Sequence, residues 1–120
     1  MTSLDKFGMF IIKQLRDRSI EQYEILEAGG WATPKLKTLQ LALRDLSDEN
    51  KLIIRRCVFD VIDTALHDVL AGLQEAHDLD NGIEVFVDGE NIAEASGMLH
   101  SELFGDDGWI KRFSQYSEMP

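Results

Sequence analysis

The sequence predicts a mainly α-helical protein, a bundle that forms a single domain over residues 1–120. A long central helix at about residues 48–77 and a small C-terminal β-hairpin at about residues 83–92 are its main elements. The prediction depends on three observations: a stretch from Ser47 to His77 without proline, apolar residues at helical spacing before it, and a short alternating segment after it. Of the 120 residues, 44% are hydrophobic, which is enough for a core without disulfides or metals.

The long helix has clear start signals. Ser47 is a suitable N-cap, and Asp48 and Glu49 place negative charge in the first turn. The apolar residues of the helix cover an arc of roughly 200°, so several other helices have to cover it. A straight helix would be about 45 Å long, whereas a compact domain of this length has a diameter of about 35 Å. Either Gly72 bends or ends the helix, or the overhang packs against a second copy of the chain.

Helical patterns also precede the long helix. Ser19 opens a second pattern that stops at Gly29, and whether the chain breaks or bends before Ser19 stays open. Thr33 and Pro34 are typical of an N-cap and a first helical position, and we expect this third helix to run to Ser47. The apolar residues of the first helix, which begins after Ser3, share one face: Leu4, Phe7, Phe10, Ile11 and Leu15.

The hairpin prediction follows from alternation around a turn signal. Ile83, Val85 and Val87 alternate with other residues, and Asp88-Gly89 suits a two-residue type I′ turn. A helix that starts near Asp88 is the alternative, so residues 88–97 stay open between the two. Two short helices are expected beyond them, within residues 96–104 and 109–116.

The charge is uneven along the chain. Residues 1–60 carry ten basic and nine acidic side chains, whereas residues 61–120 carry two basic and thirteen acidic ones. A surface of this kind either keeps the protein soluble or attracts a basic protein partner, and it disfavours nucleic acid, which needs a basic footprint. The residues that we assign to partner binding are Asp78, Asp80, Asp88, Glu90, Glu94, Glu102, Asp106, Asp107 and Trp109.

The segment at residues 104–113 is the most site-like part of the chain. Two adjacent aspartates lie between glycines and are flanked by Phe104 and Trp109. In one interpretation both aromatic side chains dock into the core while the aspartates face water. In the other, an aromatic anchor surrounded by carboxylates seats a basic partner.

Motifs for other chemistry are missing. The three histidines do not have the spacing of paired metal ligands, and no phosphate-binding loop or nucleophile motif is present, so we predict no metal, no cofactor and no enzymatic activity. The single cysteine, Cys57, is expected to be buried and inert. Arg55 falls inside the apolar arc of the long helix, and we expect it to reach a carboxylate of the acidic second half.

No apolar run is long enough to span a membrane, and the N-terminus lacks the order of a signal peptide, so a cytoplasmic location without membrane attachment is expected. Three functional hypotheses result. The first is an acidic module that binds a basic protein, for example an immunity- or antitoxin-like inhibitor. The second is a self-associating homodimer with no ligand chemistry. The third is an enzyme or small-molecule binder, with His67 or His100 expected in its pocket.

Overall fold

The computed structural model describes residues 1–120 and confirms a mainly helical fold around one long helix. Its helices are α1 (Ser3–Ile11), a π-helical stretch (Ile12–Asp17), α2 (Arg18–Ala28), α3 (Pro34–Arg44), α4 (Asp48–Asp78), α5 (Ile92–Ser96), a 3-10 helix (Leu99–Leu103) and α6 (Trp109–Phe113). Two short strands, β1 (Phe86–Val87) and β2 (Glu90–Asn91), pair in antiparallel orientation. No helix is both long enough and apolar enough to span a membrane.

The first two predicted helices form one continuous rod. The chain neither breaks nor ends before Ser19, because the π-helical stretch joins α1 directly to α2. Thr2, and not Ser3, caps the N-terminus of α1. The predicted buried face is also wrong in part: Phe10 and Leu15 are exposed, and Ile12 is buried instead. A π-helical turn contains an extra residue, and this shifts the phase of Leu15, whereas Phe10 lies before the stretch.

The long helix begins as its start signals predict, and Gly72 does not end it. The side chain of Ser47 accepts a hydrogen bond from the Asn50 N–H group, and α4 then continues to Asp78. The third helix ends at Arg44, earlier than expected, so a corner of three residues separates α3 from α4. The molecule measures 49 × 30 × 23 Å, with a radius of gyration of 17.0 Å. A compact chain of this length has a radius of about 14 Å, so the fold is elongated.

Both interpretations of residues 88–97 hold in part. Asp88 and Gly89 have φ angles of 50° and 80°, as a type I′ turn requires, and they connect β1 to β2. Helix α5 begins immediately after β2, with the Asn91 side chain as its N-cap. It ends at Gly97, which adopts a left-handed conformation. The segment is therefore a hairpin followed by one short helix.

The main core lies at the C-terminal half of α4. Helix α1, helix α5, the 3-10 helix and helix α6 meet there around nine buried residues: Ile12, Leu66, Leu70, Ile92, Ala93, Leu99, Leu103, Trp109 and Ile110. We call this region the compact end. The opposite region, the slender end, consists of α2, α3 and the N-terminal half of α4, where α2 packs against both other helices. Its buried side chains include Tyr23, Gln40 and Leu43.

Candidate functional site

The two aromatic residues that flank the aspartates, Phe104 and Trp109, have opposite environments. Trp109 is fully buried, so its assignment to partner binding is wrong. A side chain at Gly8 would overlap its indole ring, and Phe7 of the same helix packs edge-on against it, with the ring centroids 6.0 Å apart. Phe104, in contrast, is 51% exposed. The prediction that both aromatic side chains dock into the core is therefore right for Trp109 and wrong for Phe104, which is accessible.

The loop that presents Phe104 is held at both ends. Leu103 and Trp109, on either side of residues 104–108, are both fully buried in the core. Phe104 thus projects from a short loop whose two ends are anchored by buried side chains. An aromatic side chain held in this way loses little conformational freedom when a partner covers it.

Carboxylates surround Phe104 on the loop side. Glu102, Asp106 and Asp107 line one shallow depression together with Phe104. Asp106 and Asp107 form no hydrogen bond or ion pair with another side chain, whereas Glu102 accepts a hydrogen bond from the Ser96 hydroxyl. This side of Phe104 therefore presents three carboxylates, none of which has a bonded cation.

The cations beside this loop are already engaged. Lys111 and Arg112 attract Asp106 and Asp107, respectively, through space. Their hydrogen bonds, however, go to Glu118 and Asp5. The bond from Arg112 holds the pKa of the Asp5 carboxyl below its ordinary value. Both cations near the acidic loop are thus committed to other carboxylates.

A second depression, of about 280 Å³, lies on the α4 side of Phe104. It is lined by Asp60, Asp63, Thr64, His67, Phe104 and Met119. The Arg16 guanidinium, almost completely buried, donates to both oxygens of Asp63, at 2.6 and 3.4 Å. Asp60 has no such partner and is exposed. The free acidic group on this side is therefore Asp60.

Two of the three histidines, His67 and His100, are close to this depression, but they do not form a metal centre. The rings of His67 and His100 are 5.0 Å apart, and Nδ1 of His67 is 3.1 Å from a carboxylate oxygen of Asp68. No group of three or more histidine, cysteine, aspartate or glutamate side chains is arranged to hold a metal ion. The depression offers one imidazole and one free carboxylate on an open surface, which suits contact with a cationic group.

The remaining predicted site residues lie elsewhere. They occupy the end of α4 (Asp78), the turn after it (Asp80), the hairpin (Asp88 and Glu90) and α5 (Glu94). Asp88 forms an ion pair with Lys6 of α1, and Asp78 accepts a hydrogen bond from Gln74. None of these five residues lines the depressions around Phe104. The predicted acidic residues thus form two separate groups in the structure. Glu102, Asp106 and Asp107 lie beside Phe104, whereas Asp78, Asp80, Asp88, Glu90 and Glu94 form what we call the hairpin group.

Two further expectations for α4 need correction. Arg55 does reach a carboxylate, at 2.8 Å, but it is that of Glu24 in the first half of the chain. This bond, with a second one from the Tyr116 hydroxyl, lowers the pKa of Glu24, and the same contact raises the pKa of Tyr116 to about 12. Cys57 is exposed, because it lies on the side of the apolar arc that no other helix covers.

A larger depression, of about 440 Å³, was not expected from the sequence. It lies at the slender end between α2 and α3, and its charged side chains are Glu27, Lys37 and Arg44. Gln40 closes one side by accepting from the Trp31 N–H group and donating to the Trp31 carbonyl. A helical pattern on each side of Gly29-Gly30 is the only sequence signal for it. Its charges are mixed in sign, so they do not define a ligand class.

Comparison with known proteins adds no relative. No protein-family model, no curated protein and no solved structure matches the chain.

Proposed function

We propose that this protein binds a basic protein partner through the Phe104 surface, which we define as Phe104 with Asp60, Glu102, Asp106 and Asp107. The observation that carries the proposal is a half-exposed aromatic side chain on a loop anchored at both ends, flanked by carboxylates without bonded cations. Interface hot spots commonly combine one aromatic anchor with surrounding polar contacts that exclude water.

The chemistry of the partner follows from the charges. The chain has a formal net charge of −10, and the acidic excess belongs to residues 61–120. Such a surface accelerates association with cationic proteins and repels acidic ones. The matching partner surface would present lysine or arginine side chains around an apolar pocket that accepts the Phe104 ring. One concrete form of this function is an immunity- or antitoxin-like inhibitor of a basic toxin or nuclease.

The test compares two double charge reversals of equal size. The wild-type chain, the variant Asp106→Lys/Asp107→Lys and the control Glu90→Lys/Glu94→Lys are immobilised and exposed to lysate of the source organism at low and high salt. The control changes the net charge by the same amount, but at two residues of the hairpin group. We expect a basic protein that the wild type and the control retain at low salt, that high salt releases, and that the Asp106/Asp107 variant fails to retain.

A substitution of Phe104 then distinguishes a specific contact from general charge attraction. With the purified partner, Phe104→Ala should weaken binding by about 30-fold or more in calorimetry, as the loss of an aromatic hot spot does. Equal loss in both charge-reversal variants, or full affinity in Phe104→Ala, would reduce the acidic surface to a solubilising role and refute the proposal.

A further inference from the structure

One side of α4 carries apolar residues that the rest of the fold covers incompletely. Val61 is 65% exposed there, although valine is among the residues most often buried in proteins. Val61, Ile54, Val58 and Ile62, together with Cys57, line a depression in which every side chain is hydrophobic. Ile54, Val58, Val61 and Ala65 follow one another at steps of four, three and four residues, the spacing of a helix–helix contact line. We call these four residues the α4 seam.

We propose that a second copy of this chain covers the α4 seam, in antiparallel orientation. The first reason is the charge at the two ends of the seam. Three residues before Ile54 the same line continues with Lys51, and three residues after Ala65 it continues with Asp68. The line thus has opposite charges at its two ends.

The antiparallel register pairs every member of this line favourably. A two-fold axis that passes between Phe59 and Asp60 places Val58 opposite Val61 of the second copy, and Ile54 opposite its Ala65. The same axis places Lys51 opposite Asp68 of the second copy, and symmetry repeats each pair. The apolar layers are then closed at both ends by an ion pair.

The parallel alternative is unfavourable for the same reason. An in-register parallel pair would place Lys51 against Lys51 and Asp68 against Asp68, and like charges at a helix contact are destabilising. Within one chain the two residues cannot meet, because 17 helical steps separate them by about 26 Å. Lys51 forms no ion pair in the structure, and Asp68 lies only beside the neighbouring His67. The charges therefore select a second, antiparallel copy.

The exposure of α4 agrees with this arrangement. Val61, Ala65 and Asp68 are exposed, and Lys51, Ile54 and Val58 are only half-buried, so a second helix can cover the whole line. Each copy has a formal net charge of −10, so the pairs between Lys51 and Asp68 are the local attraction that acts against repulsion between the copies.

The first test is the mass of the chain in solution over a wide range of concentration, by analytical ultracentrifugation. The wild type should approach twice the mass of one chain as its concentration rises, whereas Val61→Glu should remain a monomer. Ile53→Glu is the matched control, because Ile53 lies on the same helix and is 52% exposed but faces away from the seam. It should dimerise like the wild type, and circular dichroism should show that both variants are folded.

The second test uses the charges and reports orientation. Lys51→Asp and Asp68→Lys should each weaken dimerisation by about tenfold, since each change turns two attractive pairs into repulsive ones. The double variant should recover most of the wild-type affinity, which can occur only if the two residues meet between copies. A monomeric wild type at all concentrations, or a dimer that survives Val61→Glu, would overturn the proposal, and so would a double variant no better than the single ones. None of these changes touches the Phe104 surface, so its partner binding is tested independently.

Discussion

The two ends of α4 differ in how completely they are covered. At the compact end, α5 and the 3-10 helix pack directly on α4, and Leu66 and Leu70 are fully buried in the main core. At the slender end α2 and the C-terminal residue Tyr116 contact the helix, yet Leu52 and Ile53 remain 41% and 52% exposed. The same broad apolar arc thus serves the core at one end and leaves a free surface at the other.

A wide apolar arc on one helix indicates that several neighbouring elements have to cover it. An arc of roughly 200° requires more contacts than one neighbouring helix provides. At the compact end, other elements of the same chain provide these contacts. At the slender end the unsatisfied part includes the α4 seam, and exposed apolar faces of this kind mark interaction surfaces.

The largest expected effect comes from truncating one leucine at each end. Leu66→Ala should lower the free energy of unfolding by about 2–5 kcal/mol, because it leaves a cavity in a fully covered core. Leu52→Ala should change it by less than about 1 kcal/mol, because its side chain already contacts water. Urea denaturation followed by circular dichroism measures both. Similar losses at the two positions would remove the distinction between the ends.

Two glycine substitutions should have effects of intermediate size on stability, and they test the same difference between the two ends. Gly8→Ala should destabilise the protein by about 1–3 kcal/mol, because the added methyl group overlaps the ring of Trp109 in the compact end. The control is Gly72→Ala, whose Cβ would meet nothing within 4 Å and which lies within α4. It should stabilise the protein by about 0.5–1 kcal/mol through helix propensity. If both changes destabilise equally in thermal denaturation, Trp109 is not held by close packing on α1.

The smallest effect is a pH dependence of the slender end. Arg55 and Tyr116 lower the pKa of Glu24 from its ordinary value of 4.5, so their contribution is complete above pH 4.5 and disappears as the pH falls toward the lowered value. Glu24→Gln should cost about 0.5–1 kcal/mol at neutral pH, the range of partly exposed ion pairs. The difference from the wild type should shrink as the pH falls below 4.5, as chemical denaturation at several pH values would show. A difference that does not change with pH would mean that the charge of Glu24 is not involved.

At alkaline pH the stability that this network contributes changes in the opposite direction: it falls as the pH rises. Tyr116 keeps its proton in the folded state up to a pKa of about 12, compared with 10 in its ordinary environment. The unfolded chain therefore releases this proton first, and the stability that Tyr116 contributes is lost between pH 10 and 12. Tyr116→Phe should reduce this loss, and an unchanged alkaline profile would contradict the assignment.

Local signals in the sequence determined most of the secondary structure. Ser47 caps α4, Thr33 and Pro34 start α3, and Asp88-Gly89 forms the hairpin turn, all as predicted. Caps and turns depend on residues a few positions apart, so their chemistry is visible in the sequence. The charge asymmetry that underlies the proposed partner is equally a property of the sequence.

Only the tertiary structure decided which side chains are accessible. Trp109 and Phe104 are five residues apart and both are large aromatics, yet Gly8, about a hundred positions away, provides the space that buries Trp109 alone. Likewise, Arg55 pairs with Glu24 because the continuous rod of α1 and α2 runs beside α4. Helical spacing specifies which residues share a face, but the element that covers that face comes from distant parts of the chain. The sequence therefore predicted the helices and the total charge, and the packing between the helices selected Phe104 and left the α4 seam uncovered.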